Sequence, residues 1–251
     1  SLKGFFNTPF YKDLDNYLKE KKSEIISGIQ FYKIYNSSKT KTQSSNYLRD
    51  STWVDIYNSS FINSSRNQVY HKSKLVVGVE NLPYKSLLEP ILGNLLLDFG
   101  GTVMTRATQT NRSVFKTKSN ALVAPVICYE SMYGEFMTDY VRNGAQLIAI
   151  ITNDGWWGNS PGHKQLLSYS RLRSIELRRS IVRSANTGIS GVINEKGDII
   201  NSIEYEKNGI INDKISISNK LTFYAKYGDF ISRISLFFFI IIFLFYFAKK
   251  K

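Results

Sequence analysis

Apolar positions recur along this chain at two periods, and the period switches repeatedly between them. Residues 9–23 (PFYKDLDNYLKEKKS) carry apolar side chains at helical spacing and predict a helix, and residues 24–35 predict a strand. The polar Ser/Asn/Lys/Thr stretch 36–46 predicts a loop. Alternation over Thr52–Ile62 and 68–70 predicts paired strands, with residues 63–66 (NSSR) as their turn. Residues 87–97 return to helical spacing, and Gly100-Gly101 breaks the pattern. Next, 121–127 predicts a buried strand running straight into Cys128, 131–143 a helix and 146–152 an all-apolar strand. An Arg-rich helix is predicted over 164–183, then a hairpin of 188–194 and 198–203 around Glu195-Lys196-Gly197. Helices and strands alternate without an internal repeat, which predicts an α/β fold.

The C-terminus departs from this pattern. From Ile234 to Ala248 the sequence reads ISLFFFIIIFLFYFA, apolar on every face, and ends in Lys249-Lys250-Lys251. Extended back to Ile231, the segment spans roughly 27 Å as a helix, enough for a bilayer core. A buried core helix is the competing reading of so short an apolar run, but a soluble domain seldom leaves such a segment last. The domain division expected is therefore a catalytic body over 1–229 and a transmembrane helix with its Lys tail over 230–251. The terminal lysines put the C-terminus in the cytoplasm and the body on the opposite side. The N-terminus carries no charged segment followed by an apolar stretch, and residue 1 is Ser; further membrane segments are expected upstream.

Composition narrows the chemistry. The chain has 251 residues, 43% of them apolar, enough for a full core. Its net charge of +13 invites a nucleic-acid reading, but the lysines are scattered, with no aromatic-interleaved basic stripe. A solvated basic surface, drawn in part to anionic lipid, accounts for them. Two histidines argue against a His-based metal site, and no metal is expected. A single cysteine rules out a disulfide framework within the chain. In an oxidising compartment that cysteine would persist as a free thiol, which calls for a reason.

Cys128 lies in VAPVICYES, where the predicted strand ends and a helical segment begins. Such a junction sets the side chain beside backbone N–H groups that can stabilise a thiolate and hold an oxyanion. A buried structural cysteine is the competing reading. A second segment tips the balance: Tyr70-His71-Lys72-Ser73-Lys74, followed by Glu80.

The order YHKSKL, Glu80, PVICYE resembles the nitrilase superfamily, whose sites join a Glu, a Lys and a Cys. The block NDGWWGNSPGHKQLLSYSRLRSIELRRSIVRSANTGISGVINEKGDI, residues 153–199, resembles its apolipoprotein N-acyltransferase branch more specifically, as does the membrane helix that follows. The likeness runs from about Ile25 to the C-terminus. It implies an α-β-β-α sandwich on the periplasmic face of the bacterial inner membrane. It also implies transfer of a fatty acyl chain from a phospholipid to the N-terminal amine of a diacylglyceryl-cysteine lipoprotein.

By the same resemblance Cys128 is the nucleophile that forms a thioester. Lys72 and the backbone N–H of Tyr129 stabilise the oxyanion. Glu80 orients the lysine or the substrate, and Glu130 supports the nucleophile from beside it. Lys74 could stand in for Lys72, two residues along on the same strand face. Trp156 and Trp157 either pack or line the acyl path. Arg171, Arg173, Arg178 and Arg179 are expected to face solvent or pair with Glu176, with lipid phosphate as the sharper alternative. No organic cofactor is implied. The partners implied are a phospholipid donor, a lipoprotein acceptor and the membrane, with no nucleic acid.

The chain departs from the pattern in two places. Residues 77–80 read Val-Gly-Val-Glu where many members have Pro-Phe-Gly-Glu. The family's general-base Glu precedes the part represented by residues 14–28, and nothing in 1–13 matches it, so the first strand is expected to be missing. Two rivals follow: an amidase or other hydrolase of the same fold, and a membrane-anchored domain that binds lipoprotein without turning it over.

Overall fold

The computed structural model describes residues 2–81, 104–155 and 158–249. Two short helices come first, α1 (Leu2–Phe5) and α2 (Pro9–Glu20). Thr8 caps α2, its side chain accepting from the Tyr11 N–H, and Pro9 supplies a first helical residue that needs no N–H partner. Tyr11 and Leu18, two turns apart, are buried. The helix stops at Glu20, short of the predicted 23, and Lys22 takes a left-handed φ of 49°.

The first sheet contains β1 (Ile26–Tyr35), β2 (Asn46–Arg49), β3 (Thr52–Ile62) and β4 (Gln68–His71). β3 is its spine: β1 pairs along its full length, while β2 and β4 share the other edge, all antiparallel. β2 falls at the end of the predicted loop, in a segment with no hydrophobic alternation to reveal it. Phe5 and Tyr11 pack edge-on against Phe31 and Phe61, so α1 and α2 cover the outer face of this sheet.

The second sheet runs in the order β10-β9-β8-β7-β6-β5. Its members are β5 (Phe115–Lys116), β6 (Leu122–Ile127), β7 (Leu147–Thr152), β8 (Ile181–Ala185), β9 (Ser190–Ile193) and β10 (Ile199–Ile203). β6, β7 and β8 are parallel, and β6 and β7 are almost wholly apolar, as strands covered on both faces tend to be. The inner faces of the two sheets meet closely: a Cβ on Gly28 would lie 3.1 Å from Ile151 Cγ2. On the other face, α3 (Gly134–Arg142) and α4 (Gly162–Leu177) bury Met137, Tyr140, Leu167 and Leu177 against Ile148 and Ile150. The order of layers is helix, sheet, sheet, helix.

The structure corrects two further helix boundaries. The helix predicted over 131–143 begins only at Gly134, because Cys128–Met132 forms a tight 3-10 turn. The helix predicted over 164–183 ends at Leu177: Arg178 adopts a left-handed φ of 50°, and Ile181–Ala185 is a strand. The helix predicted over 87–97 lies outside the described residues. After β10 an irregular segment leads to α5 (Phe223–Tyr227) and α6 (Phe230–Lys249). None of α6 is buried, and it is long and apolar enough to cross a membrane.

Candidate active site

β6 ends in a sharp break. Cys128, directly after Ile127, has φ of 50°, a left-handed conformation that a residue with a Cβ adopts only at a cost. Strain of this kind persists where the surroundings over-determine it, and here the surroundings are visible. Glu130, two residues on, is fully buried. Its Oε2 accepts the Ile127 N–H at 2.8 Å, closing the turn on the end of β6. Its Oε1 accepts the Tyr70 hydroxyl at 2.6 Å, the Ser73 N–H at 2.6 Å and, more distantly, the Lys74 N–H at 3.4 Å. One buried carboxylate thus stitches the cysteine turn of the second sheet to the segment that leaves β4 in the first.

Burial pushes the Glu130 carboxyl above its ordinary value, against the hydrogen bonds from Tyr70, Ser73 and Ile127 and the positive charge of Lys72. The Tyr70 hydroxyl is pushed up as well, by burial and then by the Glu130 charge beside it.

Lys72 follows β4, its backbone N–H bonded to the Asn58 carbonyl at 2.8 Å. Its side chain is 2% exposed, and Nζ reaches both Glu80 oxygens, at 2.9 and 2.7 Å. Glu80 also accepts from Asn58 Nδ2 at 2.5 Å and the Val76 N–H at 2.8 Å. With three donors on its two oxygens, Glu80 is a holder of Lys72, not a free base. Removing either member would strand a buried charge, at a cost of roughly 3–5 kcal/mol. Lys74 goes elsewhere: its ammonium lies over the rings of Tyr133 and Phe136, at 5.5 and 5.8 Å.

The structure therefore brings Cys128, Glu130, Lys72 and Glu80 into one connected assembly. Tyr129 sits half-buried in the turn, its ring edge-on to Tyr133 at 5.3 Å. Trp156 and Trp157 lie outside the described residues. Among the described residues no group of His, Cys, Asp and Glu is arranged to hold a metal ion.

Of the four arginines, Arg173 pairs with Glu176 at 3.1 Å, as expected. Arg171 donates to the Gly197 carbonyl at 2.7 Å, and Arg178 is exposed. Arg179 is a correction. It is buried, neither at the surface nor on Glu176, and its guanidinium binds the carbonyls of Ala145, Leu177 and Lys220.

Sequence reasoning missed a second polar knot at the C-terminal end of this sheet. Arg183, on β8, pairs with Asp154 at 2.7 Å, both side chains almost wholly buried. Asp154 also accepts from Thr152 Oγ1 at 2.6 Å. Burial pulls the Arg183 guanidinium below its ordinary value, while the negative charges of Asp154 and Cys128 oppose that shift. The cysteine and the Arg183–Asp154 pair thus lie within electrostatic reach of each other. Asn58, which holds Glu80, was missed too. Nothing local in the sequence marks an Asn inside a strand as a partner of a carboxylate 22 residues away.

Comparison with known proteins identifies the family and the fold. The profile of the carbon-nitrogen hydrolase family matches residues 9–219. The apolipoprotein N-acyltransferase of Wigglesworthia glossinidia brevipalpis is 29% identical over 220 residues, which cover 88% of this chain and 41% of that protein. The protein of the same name from Bradyrhizobium diazoefficiens is 35% identical over 177 residues, 69% of this chain and 32% of the relative. The chain thus spans less than half the length of these relatives. Among solved structures, an amidase from Nesterenkonia sp. superposes with a TM-score of 0.54 at 10% identity, covering 90% of this chain and 71% of the amidase. At that identity the likeness concerns the fold alone.

Proposed function

The chain belongs to the carbon-nitrogen hydrolase family, and from that premise we propose that it carries the acyl-transfer centre of an apolipoprotein N-acyltransferase. The observation that carries this reading is the Glu130 stitch, which holds the strained Cys128 turn beside the Lys72–Glu80 pair. The names of the similar proteins supply the substrate class.

In the first half-reaction the Cys128 thiolate attacks the ester carbonyl of a phospholipid. The Lys72 ammonium and the Tyr129 N–H stabilise the oxyanion, donors typically worth on the order of 3 kcal/mol each. Collapse breaks the ester C–O bond, leaving a thioester on Cys128 and releasing the lysophospholipid alcohol once its oxygen gains a proton. In the second, the amine of a diacylglyceryl-cysteine attacks the thioester carbonyl. An amide forms, the C–S bond breaks, the amine proton leaves and the thiolate returns. Dividing one difficult transfer into two is what a covalent nucleophile contributes. Glu80, saturated by donors, keeps the Lys72 side chain aimed. The thiol proton ends on the departing lysophospholipid oxygen, and the amine proton of the second step restores the thiol.

The setting we propose is the bacterial inner membrane, with α6 crossing it, the catalytic body on the periplasmic side and the C-terminus in the cytoplasm. The test uses the full-length protein with phospholipid labelled in its acyl chain and no acceptor. Intact mass before and after neutral hydroxylamine reports a thioester, with Cys128→Ser as control. The expected result is a hydroxylamine-labile acyl adduct, absent from the control and discharged by a diacylated peptide. No adduct on the wild type would overturn the reading. Discharge by water as fast as by the peptide would replace it with a hydrolase.

A further inference from the structure

The catalytic body and the apolar helix are joined by a rigid, aromatic corner. Phe223 and Tyr227 on α5 are 60% and 56% exposed, although the segment around them is tightly held. Their rings pack together at 4.5 Å between centroids, and Phe223 meets Phe230, the first residue of α6, at 4.9 Å. The other side of α5 is fully committed to the body. Ala225 is buried, Tyr224 closes over Gly134 with no room for a Cβ there, and Thr222 caps α5 while donating to the Glu176 carbonyl at 2.6 Å. Two rings therefore face outward on a short helix that cannot turn them inward, and the half-buried ring of Phe230 abuts Phe223.

Two side chains of α3 fix this corner. Arg142 donates to the last carbonyls of α5, Nε to Ala225 at 2.8 Å and Nη2 to Lys226 at 3.1 Å. Glu135 forms an ion pair with Arg233 in the first turn of α6, and Arg233 also donates to the Tyr227 carbonyl at 3.0 Å. Gly228, with φ of 70°, makes the bend between the two helices. α3 begins directly after the turn Cys128–Met132, so the element that grips the root of α6 is continuous with the one that carries the cysteine.

We propose that Phe223, Tyr227 and Phe230 form an interfacial seat in the headgroup layer of the bilayer, and that Glu135 and Arg142 tie it to the Cys128 turn, holding the cysteine at a fixed height over the lipid. The proposal rests on the reading that α6 crosses the membrane and that Cys128 accepts acyl chains from it. The occupant follows from continuity: the exposed rings of α5 lie at the root of a helix that is exposed from Ile231 to Lys249. Aromatic rings flanked by long cationic side chains, here Lys226 and Arg233, suit the boundary between headgroups and acyl chains. An ion pair between half-exposed partners is weak in water, but it strengthens as the local dielectric falls.

The test has two arms, both on protein reconstituted in phosphatidylcholine/phosphatidylglycerol vesicles. In a Cys128→Ser background, nitroxides are placed at Phe223→Cys or Tyr227→Cys, with Phe239→Cys as the mid-span reference and Ile200→Cys as the aqueous one. Relative accessibility to oxygen and to a water-soluble nickel chelate reports depth. Positions 223 and 227 are expected between the two references, at headgroup depth. Values matching position 200 would overturn the seat, and so would shielding from both reagents, which would mean that protein covers the corner. If position 239 itself is open to nickel, the membrane reading of α6 fails instead.

In the second arm, Glu135→Gln and Arg142→Gln keep Cys128 and are assayed for acylation. Acylation from vesicle lipid is expected to fall roughly tenfold or more, as misplacing a reactant does, while acylation by a soluble short-chain thioester is unchanged. Equal loss on both donors would reduce the ties to general stability and overturn their positioning role. A wild type that accepts neither donor would refute the acyl-transfer reading itself.

Discussion

Two predictions belong to single residues. Lys72 is 2% exposed and touches both oxygens of Glu80, so it is a charge with one orientation. Lys72→Met removes the proposed oxyanion donor and strands Glu80 among the Asn58 and Val76 donors. Acyl-enzyme formation should fall by on the order of 10²–10³, measured as single-turnover acylation of Cys128. Lys74→Met, on a side chain that lies over Tyr133 and Phe136, should leave that rate within a few-fold; comparable losses would reverse the assignment. Glu130 makes a pH prediction. Burial raises its carboxyl above the ordinary value of 4.5, so the folded protein holds that proton more tightly than the unfolded chain. Glu130's contribution to stability is then complete below pH 4.5 and is lost as pH rises through the raised value. Glu130→Gln cannot ionise. The stability of wild type relative to the variant, followed as thermal midpoint against pH, should be largest in acid and shrink as pH rises. A difference that grows with pH would contradict the sign.

At the scale of elements, what the sequence made legible follows where hydrophobic periodicity is uninterrupted. The strand into Cys128, the almost wholly apolar β7 and α6 all announce themselves, because a strand covered on both faces and a helix apolar all round can carry little else. The end of α4 does not. No Gly or Pro punctuates residues 164–183, and the stop is Arg178 in a left-handed conformation, which sequence alone gives no reason to expect of an arginine. β2 stayed hidden for the opposite reason: its four residues carry no alternation, and it pairs only with the end of β3. Similarly, Lys72, Glu80 and Cys128 were legible as residue types in order, whereas Asn58 and the Arg183–Asp154 pair depend on strand register, which no local pattern encodes. The left-handed arginine carries its own prediction. Arg178→Gly relieves a clash between Cβ and backbone and should stabilise the protein by about 0.5–1 kcal/mol, less what its 3.3 Å contact with the Glu195 carbonyl contributes. Equilibrium denaturation of the detergent-solubilised protein reads this directly. A loss of stability would mean that the contact outweighs the strain.

For the whole molecule the question is which side of the membrane the cysteine faces. A body of two packed sheets, with Cys128 at the end of β6, can reach phospholipid from either leaflet, so the fold does not decide it. Charge does. Lys249, Lys250 and Lys251 close the chain after an apolar run, while Arg233, the cation at the other end of α6, is already engaged by Glu135 and the Tyr227 carbonyl. Three lysines weigh more in orientation than one paired arginine, which supports the proposed topology with the tail in the cytoplasm and Cys128 outside. In spheroplasts, a membrane-impermeant maleimide should therefore label Cys128 of the intact wild type. In a Cys128→Ser, Lys250→Cys variant it should label the tail only after lysis. The reverse pattern would place the nucleophile in a reducing compartment, where a lone thiol needs no special protection. It would also separate it from acceptors that mature on the outer face, and the lipoprotein reading could not survive that result.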